Sequence, residues 1–186
     1  MKILAISGSL RAESYNTALV RAARDIAPVG VDVEVYDGLA SLPPYDQDLD
    51  EGAGETPAAV RELRDRIEDA DAILFVTPEY NGSIPGILKN AIDWASARHR
   101  GSSLASKTVA VAGATTGQYG AIWAQQDLRR VLGIAGARVI AGELPFSRAD
   151  TLLDEHGRLR SPAQVARLRE HLDALIAEAR PLAVAV

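Results

Sequence analysis

The run Ala72-Ile73-Leu74-Phe75-Val76-Thr77, followed at once by Pro78-Glu79-Tyr80-Asn81-Gly82-Ser83-Ile84-Pro85-Gly86, decides the fold. It carries no charge from Ala72 to Thr77, as expected of a strand buried on both faces of a parallel sheet. Two prolines and two glycines then fall within nine residues, which demands a stiff, tightly turned backbone. A helical pattern follows from about Pro85 to Ala97.

Working outward, the same strand-then-helix alternation repeats. Lys2–Ser7 reads as the first strand. The helix after it carries Leu19, Ala22, Ala23 and Ile26 on one face. In Val31–Tyr36 the valines alternate with polar neighbours, as on a half-buried edge strand. A long Pro-, Gly- and Asp-rich loop covers Asp37 to Thr56. The next helix starts near Pro57 and buries Val60, Leu63 and Ile67. Beyond the central run, Thr108–Gly113 and Arg138–Ala141 read as strands, with a helix from about Gly120 to Leu132 between them. The last helix opens at Ser161-Pro162 and carries Val165, Leu168, Leu172, Leu175 and Ile176 on one side.

Five such units, with no repeat or linker between them, imply one α/β domain over residues 1–186. Right-handed crossovers leave few topologies, and the doubly wound order 2-1-3-4-5 fits. Its ligand crevice lies where the winding reverses, at the carboxyl ends of strands one and three. That singles out the loops after Ser7 and Thr77 before any motif is read.

Composition narrows the function. The 186 residues are 47% hydrophobic, enough for a sizeable core, and the net charge of -5 argues against a nucleic-acid or anionic-membrane partner. With no cysteine, disulfides, thiolate metal sites and thiol nucleophiles are excluded. The apolar run after Met1 is too short for a signal peptide, and no stretch, Leu182–Val186 included, approaches the roughly 18 residues that span a bilayer. A soluble cytoplasmic protein is the simplest expectation.

The first loop, Gly8-Ser9-Leu10-Arg11-Ala12-Glu13-Ser14-Tyr15-Asn16-Thr17, runs straight into a helix. Helix N-termini offer free N–H groups and a partial positive charge to an anion. Ser9, Ser14, Asn16 and Thr17 add neutral donors, and Arg11 adds a planar cation. Neither G-x-G-x-x-G nor the lysine-bearing phosphate loop is present. The set suits a single phosphate monoester; an ordinary turn with a serine cap reads the same way. The second loop, at Pro78–Pro85, can aim backbone N–H groups at a flat polar ring edge, with Tyr80 and Asn81 beside it. A structural turn with a surface tyrosine is the alternative, and the loop's position on the switch crevice favours binding.

The segments GSLRAESYN at 8–16 and TPEYNGSIPGILKNAIDW at 77–94 resemble those of the NADPH-dependent FMN reductase family, from Met1 to about Leu144. The resemblance implies a flavodoxin-like fold, FMN as cofactor and NADPH or NADH as hydride donor. It implies phosphate contacts at Ser9, Arg11, Ser14 and Asn16, with Leu10 and Tyr15 between them. Pro78, Glu79, Tyr80, Asn81 and Gly82 would line the isoalloxazine ring, and Thr115 its pyrimidine side. Members often carry two glycines where this chain has Gly120-Ala121. The acceptors implied are small: quinones, free flavin, azo compounds or metal oxyanions. Because the flavin does the chemistry, no residue is assigned as catalytic. A homodimer or homotetramer is also implied, with the helix bearing Lys89, Asn90, Asp93 and Trp94 against a partner, although Lys89 and Asp93 at i, i+4 can simply pair.

Other polar features read as bland. His99, His156 and His171 are scattered in no metal or triad pattern and read as surface residues. The acidic stretch Asp46–Glu51 lacks the glycine and glutamate spacing of a calcium loop and reads as solvated. Two further functions remain on the same fold. A non-enzymatic flavodoxin-type carrier is the first, although 5% aromatics and a modest charge favour an open ring. A receiver domain is the second, but it needs acidic clusters at the ends of strands one and three, and these are missing.

Overall fold

The computed structural model describes residues 1–51, 55–97, 101–155 and 157–179. His99, His156 and Leu182–Val186 lie outside them. Strands β1 (Lys2–Ser7), β2 (Asp32–Tyr36), β3 (Ala72–Thr77), β4 (Thr108–Ala114) and β5 (Arg138–Val139) form a parallel sheet in the order β2-β1-β3-β4-β5. Register runs Ile3↔Ala72 across the centre and Ala72↔Thr108 beyond it. The winding reverses between β1 and β3, as the alternation implied.

The uninterrupted β3 run serves two cores. Ile73 and Phe75 face α3 (Ala58–Asp69), α4 (Gly86–Ala95) and α5 (Ile122–Ile134) together with Leu4, Ile6 and Val111. Leu74 and Val76 face α1 (Tyr15–Asp25) and α6 (Pro162–Ala179) with Ile3, Ala5 and Ala112. Period-two alternation sends successive side chains to opposite layers, and both layers are apolar, which is why the run shows no polar position from Ala72 to Val76.

The far edge differs from the expected single strand Arg138–Ala141. Gly142, at φ 83, turns the chain away after β5, and a sixth strand, β6 (Leu144–Phe146), returns to the same edge. β4 thus pairs β5 at Thr108 and Val109 and β6 from Ala112 to Ala114. Pro145 is tolerated there because an edge position requires no ladder donor. Side chains complete the broken ladder: Arg129 donates to the carbonyls of Ile140 and Gly142, and Nε2 of His171 meets the carbonyl of Val111 at 3.0 Å. His171 is therefore partly buried against β4 and not a surface residue.

The Asp37–Thr56 connection is also more ordered than a plain loop. It holds a 3-10 turn at Gly38–Ser41 and a short helix, α2 (Gln47–Glu51). Asp50 is fully buried and takes a bidentate contact from Arg64 at 2.7–2.9 Å, which corrects the reading of this acidic stretch as wholly solvated. Asn90 and Trp94 reach back to the carbonyl of Pro43 at 2.9 and 2.8 Å, while Lys89 and Asp93 pair with each other.

Candidate functional site

The loops after β1, β3 and β4 leave the same end of three adjacent parallel strands, so Ser9, Asn81 and Thr115 share one rim of the sheet. Gly8 sits where the first two loops touch. A Cβ there would meet Leu88 at 2.9 Å and Pro78 at 3.4 Å, and its N–H bonds the carbonyl of Val76 at 2.8 Å.

In the first loop, Ser14 caps α1, its hydroxyl accepting the N–H of Thr17 at 3.3 Å. The first turn of α1 carries no acidic residue, so nothing within the helix offsets its N-terminal dipole. Ser9 Oγ accepts the Arg11 N–H at 3.4 Å, and Ser7 and Thr17 hydroxyls pair at 2.9 Å beneath it. The Arg11 guanidinium lies 5.1 Å from the Tyr15 ring centre, a cation–π contact, with Leu10 projecting into solvent. Asn16 behaves differently from its neighbours. It is buried, and its amide spans both backbone groups of Ala114, donating at 3.0 Å and accepting at 2.9 Å. Its side chain positions the rim, leaving its backbone N–H at the helix terminus.

In the second loop, Tyr80 and Ser83 exchange backbone hydrogen bonds at 3.0 and 3.1 Å around Asn81 (φ 52) and Gly82 (φ 77). Positive φ at both central positions is the geometry that Asn-Gly favours. The N–H groups of Asn81 and Gly82 take no backbone partner among the described residues. The turn is clamped onto α5 at two points. Oε2 of Glu79 accepts the N–H groups of Trp123 and Ala124, both at 3.1 Å, and Ser83 donates to Asp127 at 2.5 Å. The Ser83 hydroxyl, then Arg130, hold the Asp127 carboxyl below the usual carboxylate range. Pro78 is buried, and Tyr80 is exposed, as are Tyr119 and Trp123, whose rings pack 4.8 Å apart.

The third loop is braced from β6. Thr115 donates its N–H to Phe146 and accepts that of Ala149, at 3.2 and 3.0 Å. Gly120 and Ala121 are both left-handed, φ 58 and 61, which delays α5 to Ile122, two residues later than the pattern suggested. Buried Gln125 ties Gly120 to Leu144 with bonds of 2.9 Å at each end of its amide. Gln125, Asp127 and Phe146 carry no local signal of these roles, because each acts on backbone or side chains distant in sequence.

The rim thus presents hydroxyls, helix-terminal N–H groups, one guanidinium and a rigid turn. Among the described residues no cluster of metal-ligating side chains stands near it, and no described helix is long and apolar enough to cross a membrane.

The model of the family described as NADPH-dependent FMN reductase matches residues 1–151. An NAD(P)H-dependent FMN reductase of Pseudomonas aeruginosa is 39% identical over 176 residues, 94% of this chain and 93% of that protein. A 2-hydroxy-1,4-benzoquinone reductase of a Burkholderia species is 34% identical over 93% of both chains. Among solved structures, the flavoenzyme NAD(P)H:(acceptor) oxidoreductase FerB of Paracoccus denitrificans superposes with a TM-score of 0.83 at 32% identity, covering 96% of each chain.

Proposed function

The chain belongs to the NADPH-dependent FMN reductase family, and from that premise we propose that FMN binds across the three loops at the reversal point of the sheet. The protein is an oxidoreductase that uses FMN with NAD(P)H as electron donor. FMN, when bound, would supply the hydride-transfer chemistry between the pyridine nucleotide and a small acceptor. The chain's own residues bind, orient and shield.

The single observation that carries the assignment of site residues is the donor set at the start of α1. Its first turn has no acid, Ser14 caps it, and Ser9 and Arg11 stand over it. This chemistry suits a phosphate monoester. Ser9, Arg11 and Ser14 bind the phosphate through side chains, with Leu10, Tyr15 and Asn16 contributing backbone. The Pro78–Gly82 segment meets the ring: the free N–H groups of Asn81 and Gly82 point a rigid pair of donors at its polar edge, and Tyr80 borders its open face. Thr115 closes the pyrimidine side. The Glu79 side chain grips α5, so Glu79 meets the ring through its backbone.

A quinone is the acceptor class we favour, since relatives along most of the chain are named quinone reductases. A pure electron carrier is not favoured: the reductase relatives align at 34–39% identity, whereas a flavodoxin aligns at 18% and shares the fold alone. We also read residues 1–186 as one FMN-binding domain, cytoplasmic, and assembled as a homodimer or homotetramer through α4 and the exposed Tyr80, Tyr119 and Trp123.

The test is direct. Purified protein carries yellow FMN, loses its colour with NADPH under anaerobic conditions and regains it with a benzoquinone. Failure to retain FMN at saturating concentration, with the protein folded, overturns the assignment. Light scattering reads the oligomer.

A further inference from the structure

On the β2 side of the first loop, α1 and the Gly38–Ser41 turn enclose a cleft of 440 Å³, within the range of small-molecule sites. It begins at Ser9–Ala12, so it shares a wall with the proposed phosphate site. Thr17, Arg21 and Arg24 reach it from α1 at i, i+4 and i+7, one stripe of the helix. Arg11 reaches it from the loop, and Asp37 is the one carboxylate on its wall among the described residues. Arg21 has no ion-pair partner among the described residues. Among the described residues Arg24 pairs only with its neighbour Asp25, and both are exposed, so solvent screens that pair and leaves the guanidinium available.

On the opposite side of the crevice Glu79 caps α5 and Asp127 is paired with Arg130. The guanidinium groups left available on the β2 side favour a polyanion there.

We propose that this cleft takes the phosphorylated adenosine end of the pyridine nucleotide, with Arg21 and Arg24 on the 2′-phosphate that distinguishes NADPH from NADH. Guanidinium forks match a phosphate with two parallel hydrogen bonds each, which NADH cannot accept at that position. Asp37 suits a ribose hydroxyl or the adenine amine on the far wall. Neither arginine signals this role in the sequence, where both fall on the polar face of a helix. The turn after β2 supplies the facing wall of the cleft through Asp37, Leu39 and Ala40.

This inference rests on the flavoenzyme reading, and its experiment separates the two. The double variant Arg21→Ala/Arg24→Ala is expected to retain FMN and to keep kcat with either nucleotide. Its KM for NADPH should rise about 10- to 100-fold, the worth of one or two charged hydrogen bonds, while that for NADH moves less than threefold. Equal changes for both nucleotides, or none, overturn the proposal while leaving the flavin assignment intact. On the unaltered holoenzyme, 2′-AMP should compete with NADPH far better than 5′-AMP does. Equal inhibition by the two overturns the proposal even if the double variant fails to fold. Loss of FMN from the unaltered protein would instead strike the underlying reading, and calorimetry with 2′-AMP on that protein then decides the cleft alone, absence of binding overturning it.

Discussion

The Asn16 side chain replaces a peptide group for Ala114, bonding its N–H at 2.9 Å and its carbonyl at 3.0 Å across 98 residues of chain. This fixes the start of α1 to the end of β4, so the expected phosphate donors and the Thr115 loop cannot move independently. Asn16→Ala leaves two buried backbone groups without partners, each costing about 1–3 kcal/mol. Urea denaturation should show a loss of about 2–4 kcal/mol, together with weaker FMN retention. Asn16→Asp keeps the acceptor, sets an anion against the Ala114 carbonyl and should be no better than alanine. A variant as stable as the parent would show that the contact is dispensable.

Glu79 invites a ring contact on sequence grounds, yet its carboxylate caps α5. Substitution by alanine removes the acceptor for two helix-terminal N–H groups, a loss of about 1 kcal/mol by analogy with N-caps. Glutamine keeps one acceptor oxygen without the charge and should lie between. Because the cap also holds the Tyr80–Ser83 turn, FMN dissociation measured by flavin fluorescence should quicken in the order parent, glutamine, alanine. Identical rates in all three would detach Glu79 from the site.

The difference between what was legible and what was not follows from range. The β3 run, the tight turn of prolines and glycines after it, the alternation in β2 and the serine cap of the first helix are all fixed by a residue and its near neighbours, and each leaves a local pattern. The roles of Asn16, Glu79 and Asp50 depend on partners 98, 44 and 14 residues away, and a single sequence offers nothing to pair them. β6 escaped notice for another reason: three residues with a central proline are too few to show a period, and β4 recruits them only because Gly142 turns the chain away first.

Gly120 and Ala121 test the left-handed entry into α5. A Cβ on Gly120 would lie 2.8 Å from both Phe146 N and Pro145 Cβ, so Gly120→Ala must push β6 outward and add left-handed strain. A loss above about 3 kcal/mol is expected, with Thr115 displaced through its bond to Phe146. Ala121→Gly relieves strain of about 1 kcal/mol and gives up a buried methyl worth about the same. Its thermal midpoint should stay within a few degrees of the parent's. A large loss at Ala121 with tolerance at Gly120 would contradict the observed backbone.

His171 gives a pH dependence whose sign is fixed. Burial lowers its pKa from 6.5, the bond to the Val111 carbonyl partly restores it, and the Arg129 charge lowers it further. The unfolded chain then binds a proton near pH 6.5 that the folded chain does not, so stability rises with pH through this window. The contribution is complete above 6.5 and drains away as pH falls toward the depressed folded value. His171→Gln retains an N–H for Val111 and cannot titrate. Between pH 7.5 and 5.5 the parent's urea midpoint should fall more than the variant's. Asp127 also loses stabilisation on acidification, but in the lower carboxylate range and in both proteins alike. Parallel midpoints would mean that the edge carbonyl is served equally well by the charged imidazole, and that the broken ladder at β4 is wet.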